Sequence, residues 1–228
     1  DQDTAEVTYS ADWQNNRQKA EVEVVKKEKD SDRVLEGAVF ALCAKDDITG
    51  ADGKVILKAD TVIEELATDK EGKLSFTADL PIGFAYYIKE TSPASGFATT
   101  DEIQEFTFEY EGAEKEKVSY AFTFEDEPTV IEITKTSLTD GKELEGAKLQ
   151  VTDESGKVVD SWTSGKEAHI IKELVVGQKY TLTETKPADG YVTAESITFT
   201  AEDTAKSQKI EMKDDVTKVE ISKTDISG

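Results

Sequence analysis

Three lysines in this chain end the same kind of run. Val22, Val24 and Lys26 alternate with their neighbours, as do Ile131, Ile133 and Lys135, and again Val219, Ile221 and Lys223. That is the period-two pattern of a half-buried strand. It aims each lysine toward the strand's own core, where an unpaired ammonium loses its hydration. Carboxylates stand in comparable places. Tyr86, Ile88 and Glu90 share one strand face, as do Phe122, Phe124 and Asp126; the matching sets downstream are Tyr180, Leu182, Glu184 and Ile210, Met212, Asp214. Each set of strands thus turns one Lys, one Glu and one Asp toward a common core. Two chemistries fit such a trio. One is a buried ion network, which stabilises little because desolvation offsets the Coulomb gain. The other is condensation. Burial favours the neutral forms of acids and amines alike, and a neutral amine is a nucleophile. A protonated Glu beside the pair can polarise the Asp carbonyl and shuttle protons while water leaves. The product is a Lys–Asp amide, with two buried charges removed.

The elements that position these residues come in two copies. LEGAVFAL at 35–42 matches LEGAKLQV at 144–151, IKETSPASGF at 88–97 matches LTETKPADGY at 182–191, and FEDEP at 124–128 aligns with MKDDV at 212–216. The shared order marks a tandem repeat of whole domains. The boundaries expected are a last strand of a preceding repeat within 1–20, a domain over 21–128 with an insertion at 45–67, a domain over 129–217, and the first strand of a following repeat in 218–228. Short alternating runs between turn signals such as Asp69–Gly72 and Asp153–Gly156 make each copy all-β. One turn of helix near Thr61–Leu66 is the exception considered. Two antiparallel sheets packed face to face, an immunoglobulin-like sandwich, is the expected architecture. The connectors carry no Gly/Ser-rich run, which favours a semi-rigid rod.

Composition narrows the function classes. The chain has 228 residues and a net charge of -22, which argues against nucleic acid or an anionic membrane as partner. Cys43 is the only cysteine, so any covalent staple within the chain uses other chemistry. His169 is the only histidine, which leaves no multi-His metal site or His-based relay beyond that one residue. An ordinary structural role is expected for it, and for Cys43 that of a small buried hydrophobe. The acidic loop carrying Asp46, Asp47 and Asp52 lacks EF-hand spacing and a downstream bidentate Glu, so no metal is assigned to it. Trp162 reads as core or sheet surface. No cofactor is implied.

The ordered motifs, from the lysine strand through LEGA and LTETKPADGY to the terminal acidic strand, resemble the Cna protein B-type (SpaA-like) repeat of Gram-positive surface adhesins and pilins. The resemblance covers essentially all of 22–216, in two copies. It implies an intramolecular isopeptide bond between a first-strand Lys and a last-strand Asn or Asp, promoted by the Glu of the segment that here reads ETKPADGY at 184–191. Carried onto this sequence, the pairs are Lys26–Asp126 with Glu90 and Lys135–Asp214 with Glu184. Asn15 resembles the acceptor of a truncated preceding repeat and Lys223 the nucleophile of a following one. Phe97 and Val216 stand where the family commonly has Tyr and Pro. Parity puts Lys27 on the face opposite Lys26. The implied role is a structural stalk segment on a Gram-positive cell wall, with neighbouring repeats as partners and no enzymatic turnover. A host-protein or glycan-binding module working through the 45–67 insertion is the alternative, with an accessory domain of a secreted carbohydrate-active enzyme as a third.

Overall fold

The computed structural model describes residues 17–218; Asn15 and Lys223, with the flanking strands expected around them, lie outside the described residues. Within that range the chain is strand and turn, without a helix. In the first domain β1 (Lys19–Glu28) lies at the centre of a three-stranded sheet, between β6 (Lys73–Phe76) and β9 (Lys117–Asp126). Facing it are β5 (Val62–Ala67), β2 (Val39–Ala44), β7 (Phe84–Ser92) and β8 (Ile103–Phe108), in that order. The second domain repeats the plan. β10 (Val130–Ser137) lies between β13 (His169–Lys172) and β16 (Gln208–Asp214), opposite β12 (Val158–Thr163), β11 (Lys148–Asp153), β14 (Lys179–Lys186) and β15 (Ile197–Thr200).

The alternation read from the sequence is what packs these sheets. Val22 and Val24 of β1 and Phe124 of β9 turn inward to meet Phe40, Leu42, Tyr86 and Ile88. Ile131, Ile133 and Met212 meet Leu149, Val151 and Leu182 in a separate second core. Full burial of each such side chain is worth about 1.5–3 kcal/mol, so each domain has an apolar core of its own.

Two features depart from expectation. The sheets are not wholly antiparallel: β1 runs parallel to β9, and β10 parallel to β16. The first and last strands of each domain therefore lie side by side and point the same way. In addition, the stretch considered for a helical turn at 61–66 is strand, because β5 pairs antiparallel with β2 from Val39↔Ala67 to Cys43↔Val62. Backbone pairing on the sheet edge outweighs any local helical preference. The Glu64 carboxylate secures the strand, accepting from the Thr77 amide, the Thr77 hydroxyl and the Ala78 amide at 2.7, 2.7 and 2.8 Å. Since β5 has β12 as its counterpart, the extra structure of the first domain narrows to the hairpin β3 (Ile48–Thr49) and β4 (Val55–Leu57). In that hairpin Asp47 accepts from the Ala59 amide and Lys58, and Asp52 accepts from the Lys54 amide and forms an ion pair with its ammonium.

The domains meet in a small polar joint. Arg33 donates through two guanidinium nitrogens to both carboxylate oxygens of Glu173, at 2.6 and 3.0 Å, and lies over the Phe97 ring at 5.2 Å. The Thr99 amide and hydroxyl both donate to Asp203 at 2.8 Å. Thr129, 1% exposed, donates its hydroxyl to the Leu174 carbonyl at 2.7 Å.

Candidate functional site

In parallel neighbours, residues two positions apart on the same face lie diagonally adjacent. β1 registers Lys26 with Phe124 and Glu28 with Asp126; β10 registers Lys135 with Met212 and Ser137 with Asp214. Each lysine therefore reaches along the seam to the aspartate two residues on. The glutamates arrive from the opposite sheet, where Glu90 of β7 sits beside Phe40 and Glu184 of β14 beside Leu149.

In each domain the three side chains converge. The Lys26 Nζ donates to Asp126 Oδ1 at 2.5 Å, and Glu90 Oε1 lies 3.0 Å from the same nitrogen. In the second domain Lys135 Nζ donates to Asp214 Oδ1, with Glu184 Oε1 at 3.0 Å. Lys26 is 0% exposed, Glu90 6% and Asp126 2%; Lys135 is 2%, Glu184 4% and Asp214 1%. Lys27, by contrast, faces Asp32 at 3.9 Å near the surface, and Asp215 pairs with exposed Lys218. Both of these chain neighbours of the site residues point away from the core.

Hydrogen-bond directions separate acceptor from assistant. Although the glutamate oxygens lie within ion-pair distance of the amines, neither Glu90 Oε1 nor Glu184 Oε1 meets hydrogen-bond geometry, and Asp126 Oδ2 and Asp214 Oδ2 also have no partner. The angle decides here, because a short distance at a poor angle contributes little directional bonding. Each amine is aimed at its aspartate. The other glutamate oxygens are held: Glu90 Oε2 accepts from the Thr100 amide at 2.9 Å and Glu184 Oε2 from the Ala194 amide at 2.8 Å. The glutamate is thus fixed at one oxygen and open at the other.

The electrostatics follow from burial. Desolvation pushes the Glu90 carboxyl up to about 7, against the lowering influence of Lys26, and the Asp126 charge adds to the rise. Asp126 and Asp214 are raised as well, again chiefly by loss of water and despite their lysines. In the first site one ammonium and two carboxylates would leave a net negative charge in a dry core, so a proton shared between Glu90 and Asp126 is favoured. Phe40 walls the first site, with the Lys26 Nζ 5.4 Å from its ring centre and Phe124 4.9 Å beyond it.

The remaining candidates have structural places. His169 of β13 pairs with Asp160 of β12 at 2.8 Å and stacks on Trp162, with ring centres 4.1 Å apart and planes 10° from parallel. It clasps the edges of the two sheets. Cys43 is buried against Ala41 and Tyr87, and loss of water pushes its thiol up.

Fold and site together define a class of protein. The chain belongs to the SpaA family of prealbumin-like fold domains, matching it over residues 20–121 and again over 129–216. Among solved structures it is similar to the Bacillus anthracis TIE protein, at 26% identity over 87% of this chain with a TM-score of 0.53. It spans 34% of that protein's length. It also aligns with a C-terminal fragment of the pilus adhesin SpaC from Lactobacillus rhamnosus GG, at 15% identity over 90% of this chain and 100% of that one, TM-score 0.48. The shaft pilin SpaA from the same organism aligns at 17% identity over 89% and 100%, TM-score 0.39. No curated protein matches the sequence.

Proposed function

We propose that each domain condenses its own lysine and aspartate into an isopeptide bond, Lys26–Asp126 with Glu90 and Lys135–Asp214 with Glu184. The chain then serves as a stalk segment of a Gram-positive surface adhesin or pilin, outside the cell and attached to its wall, with neighbouring repeats as partners. The observation that carries this reading is the recurrence, in two cores, of a sealed Lys–Glu–Asp trio whose amine aims at the aspartate.

The steps balance without a cofactor. A proton passes from the lysine ammonium to the aspartate, giving a neutral amine and a neutral acid. The amine nitrogen attacks the aspartate carboxyl carbon while the protonated glutamate donates to the carboxyl oxygen. The tetrahedral adduct loses its hydroxyl as water, taking a proton from the glutamate, which regains one from nitrogen. One C–N bond forms, one C–O bond breaks, and one water leaves per domain. Each domain reacts once, with itself.

Intact mass under denaturing conditions tests the reading. Two waters should be missing from the sequence mass, and Glu90→Ala or Glu184→Ala should each restore one. A full sequence mass would reduce the trios to ion networks.

A second reading rests on the β3–β4 hairpin, where Val55 and Ile56 are 43% and 71% exposed. Under it the hairpin contacts a host protein or glycan. Deleting 48–57 should then abolish adhesion while leaving both water losses intact.

A further inference from the structure

The joint between the domains has two halves, and the first domain's half is repeated at the far end of the second. In the first domain Gly96 adopts φ +88 and its carbonyl accepts from the Thr129 amide at 3.0 Å; Phe97 bridges Pro128, and the Ala98 amide donates to the Glu127 carbonyl at 3.0 Å. In the second, Gly190 adopts φ +86 and accepts from the Thr217 amide at 2.9 Å; Tyr191 bridges Val216, and the Val192 amide donates to the Asp215 carbonyl at 3.0 Å. The side chains repeat too. Counting from each site lysine or glutamate, Arg33 corresponds to Lys142, and Thr99 to Thr193.

What differs is occupation. A Cβ on Gly96 would meet Glu173 of the next domain at 2.8 Å, whereas one on Gly190 meets nothing within 4 Å among the described residues. Exposure follows the same division. Thr129 is 1% exposed, Phe97 1% and Ala98 5%, but Thr217 is exposed, Tyr191 half-buried and Val192 52% exposed. Leu138 and Val216 add 60% and 36% exposed apolar surface beside them.

We propose that Lys142, Gly190, Tyr191, Thr193 and Thr217 form a docking seat for a further repeat of this same fold. This rests on the stalk reading and deepens it, because it names the surface through which repeats stack. The occupant is defined by what fills the first seat. It presents a left-handed acidic corner like Glu173, whose φ is 62, a second carboxylate like Asp203, and a carbonyl in the place of Leu174. Lys142, whose exposed ammonium lies 2.9 Å from Asp140 in the empty seat, replaces the planar fork of Arg33 with a single rotatable donor that must turn from Asp140 to grip the incoming acid at one point instead of two.

The test lengthens the full chain by joining a second copy of residues 130–217 after Thr217, a unit whose core is its own and which carries Glu173 and Asp203. Spin labels at Ser155 and at the same site of the added copy report the distance between domains; buried Cys43 stays unlabelled. A single narrow distance peak is expected, and Gly190→Val or Lys142→Glu should each abolish it. Gly190→Val wedges the seat open, while Lys142→Glu, at the surface, keeps the test valid if the valine disturbs folding. A distance distribution that both variants leave unchanged, broad or narrow, overturns the proposal. The denatured mass is read separately. If no water is lost while the peak responds to the variants, the cross-link reading falls and the seat stands. If waters are lost and the peak does not respond, the reverse holds.

Discussion

Glu90 decides how the first trio responds to pH. Its folded value of about 7 lies above the ordinary 4.5. The unbonded domain therefore holds this proton more tightly than the denatured chain does, and it loses stability as pH rises from about 4.5 to about 7. In the proposed condensation the acid form is also the one that would donate to the aspartate carboxyl. Bond formation in the first domain should proceed below about 7 and slow as the pH passes above it. Chains made by cell-free synthesis and folded across this range, with water loss followed by mass, would show it. A rate that climbs steadily through pH 7 and beyond would mean that amine deprotonation, not Glu90, governs the step. The trio was legible from the sequence because alternation fixes which face a residue takes, and the three apolar stripes each end in a charge. The aim of each amine was not legible. It depends on the angle between groups on three strands, which only the assembled sheets set.

At the scale of elements, the clasp between β12 and β13 joins the edges of two facing sheets through side chains alone. His169→Ala removes both the stack on Trp162 and the bond to Asp160, at a cost of about 1–2 kcal/mol. Denaturant unfolding in a Lys135→Ala background, where no cross-link masks the change, should show the second domain's midpoint falling. The central strands were readable in the sequence. β1, β7, β10 and β14 each carry an inward apolar series long enough to exceed any competing pattern. The edge strand β5 was harder, because it has one partner and a mixed burial pattern, and its identity comes from pairing with β2. The parallel course of first and last strands left no local trace either, since strand direction is a property of topology. The joint went unseen for a related reason: Arg33 and Glu173 are 140 residues apart. Its one trace was a glycine, Gly96 and Gly190, repeated at corresponding places in both copies.

Over the whole molecule, the two bonds would close loops of sequence separation 100 and 79. On chain-entropy grounds each is worth about 4.5 kcal/mol against unfolding. Tension would then enter at Lys26, cross to Asp126, follow the main chain to Lys135 and cross to Asp214. Pulled from its ends, the chain should show no unfolding step from either domain. Lys135→Ala should introduce one, releasing about 270 Å as the 79-residue span extends at roughly 3.4 Å per residue. A wild-type chain that unfolds in two steps under the same force would place the sheets, and not the bonds, in the path of the load. The parallel seam has a consequence for proteolysis as well. Were its ends joined at Lys26 and Asp126 as proposed, the first domain would become a closed ring with two tails, and one cut anywhere in the ring would leave a single molecule. The β3–β4 hairpin, with Ile56 largely in solvent, is where a protease would find purchase. A chain nicked there should keep its full mass, plus the one water of hydrolysis, even after denaturation. An attacker would need two cuts within that one ring before any piece of it came away.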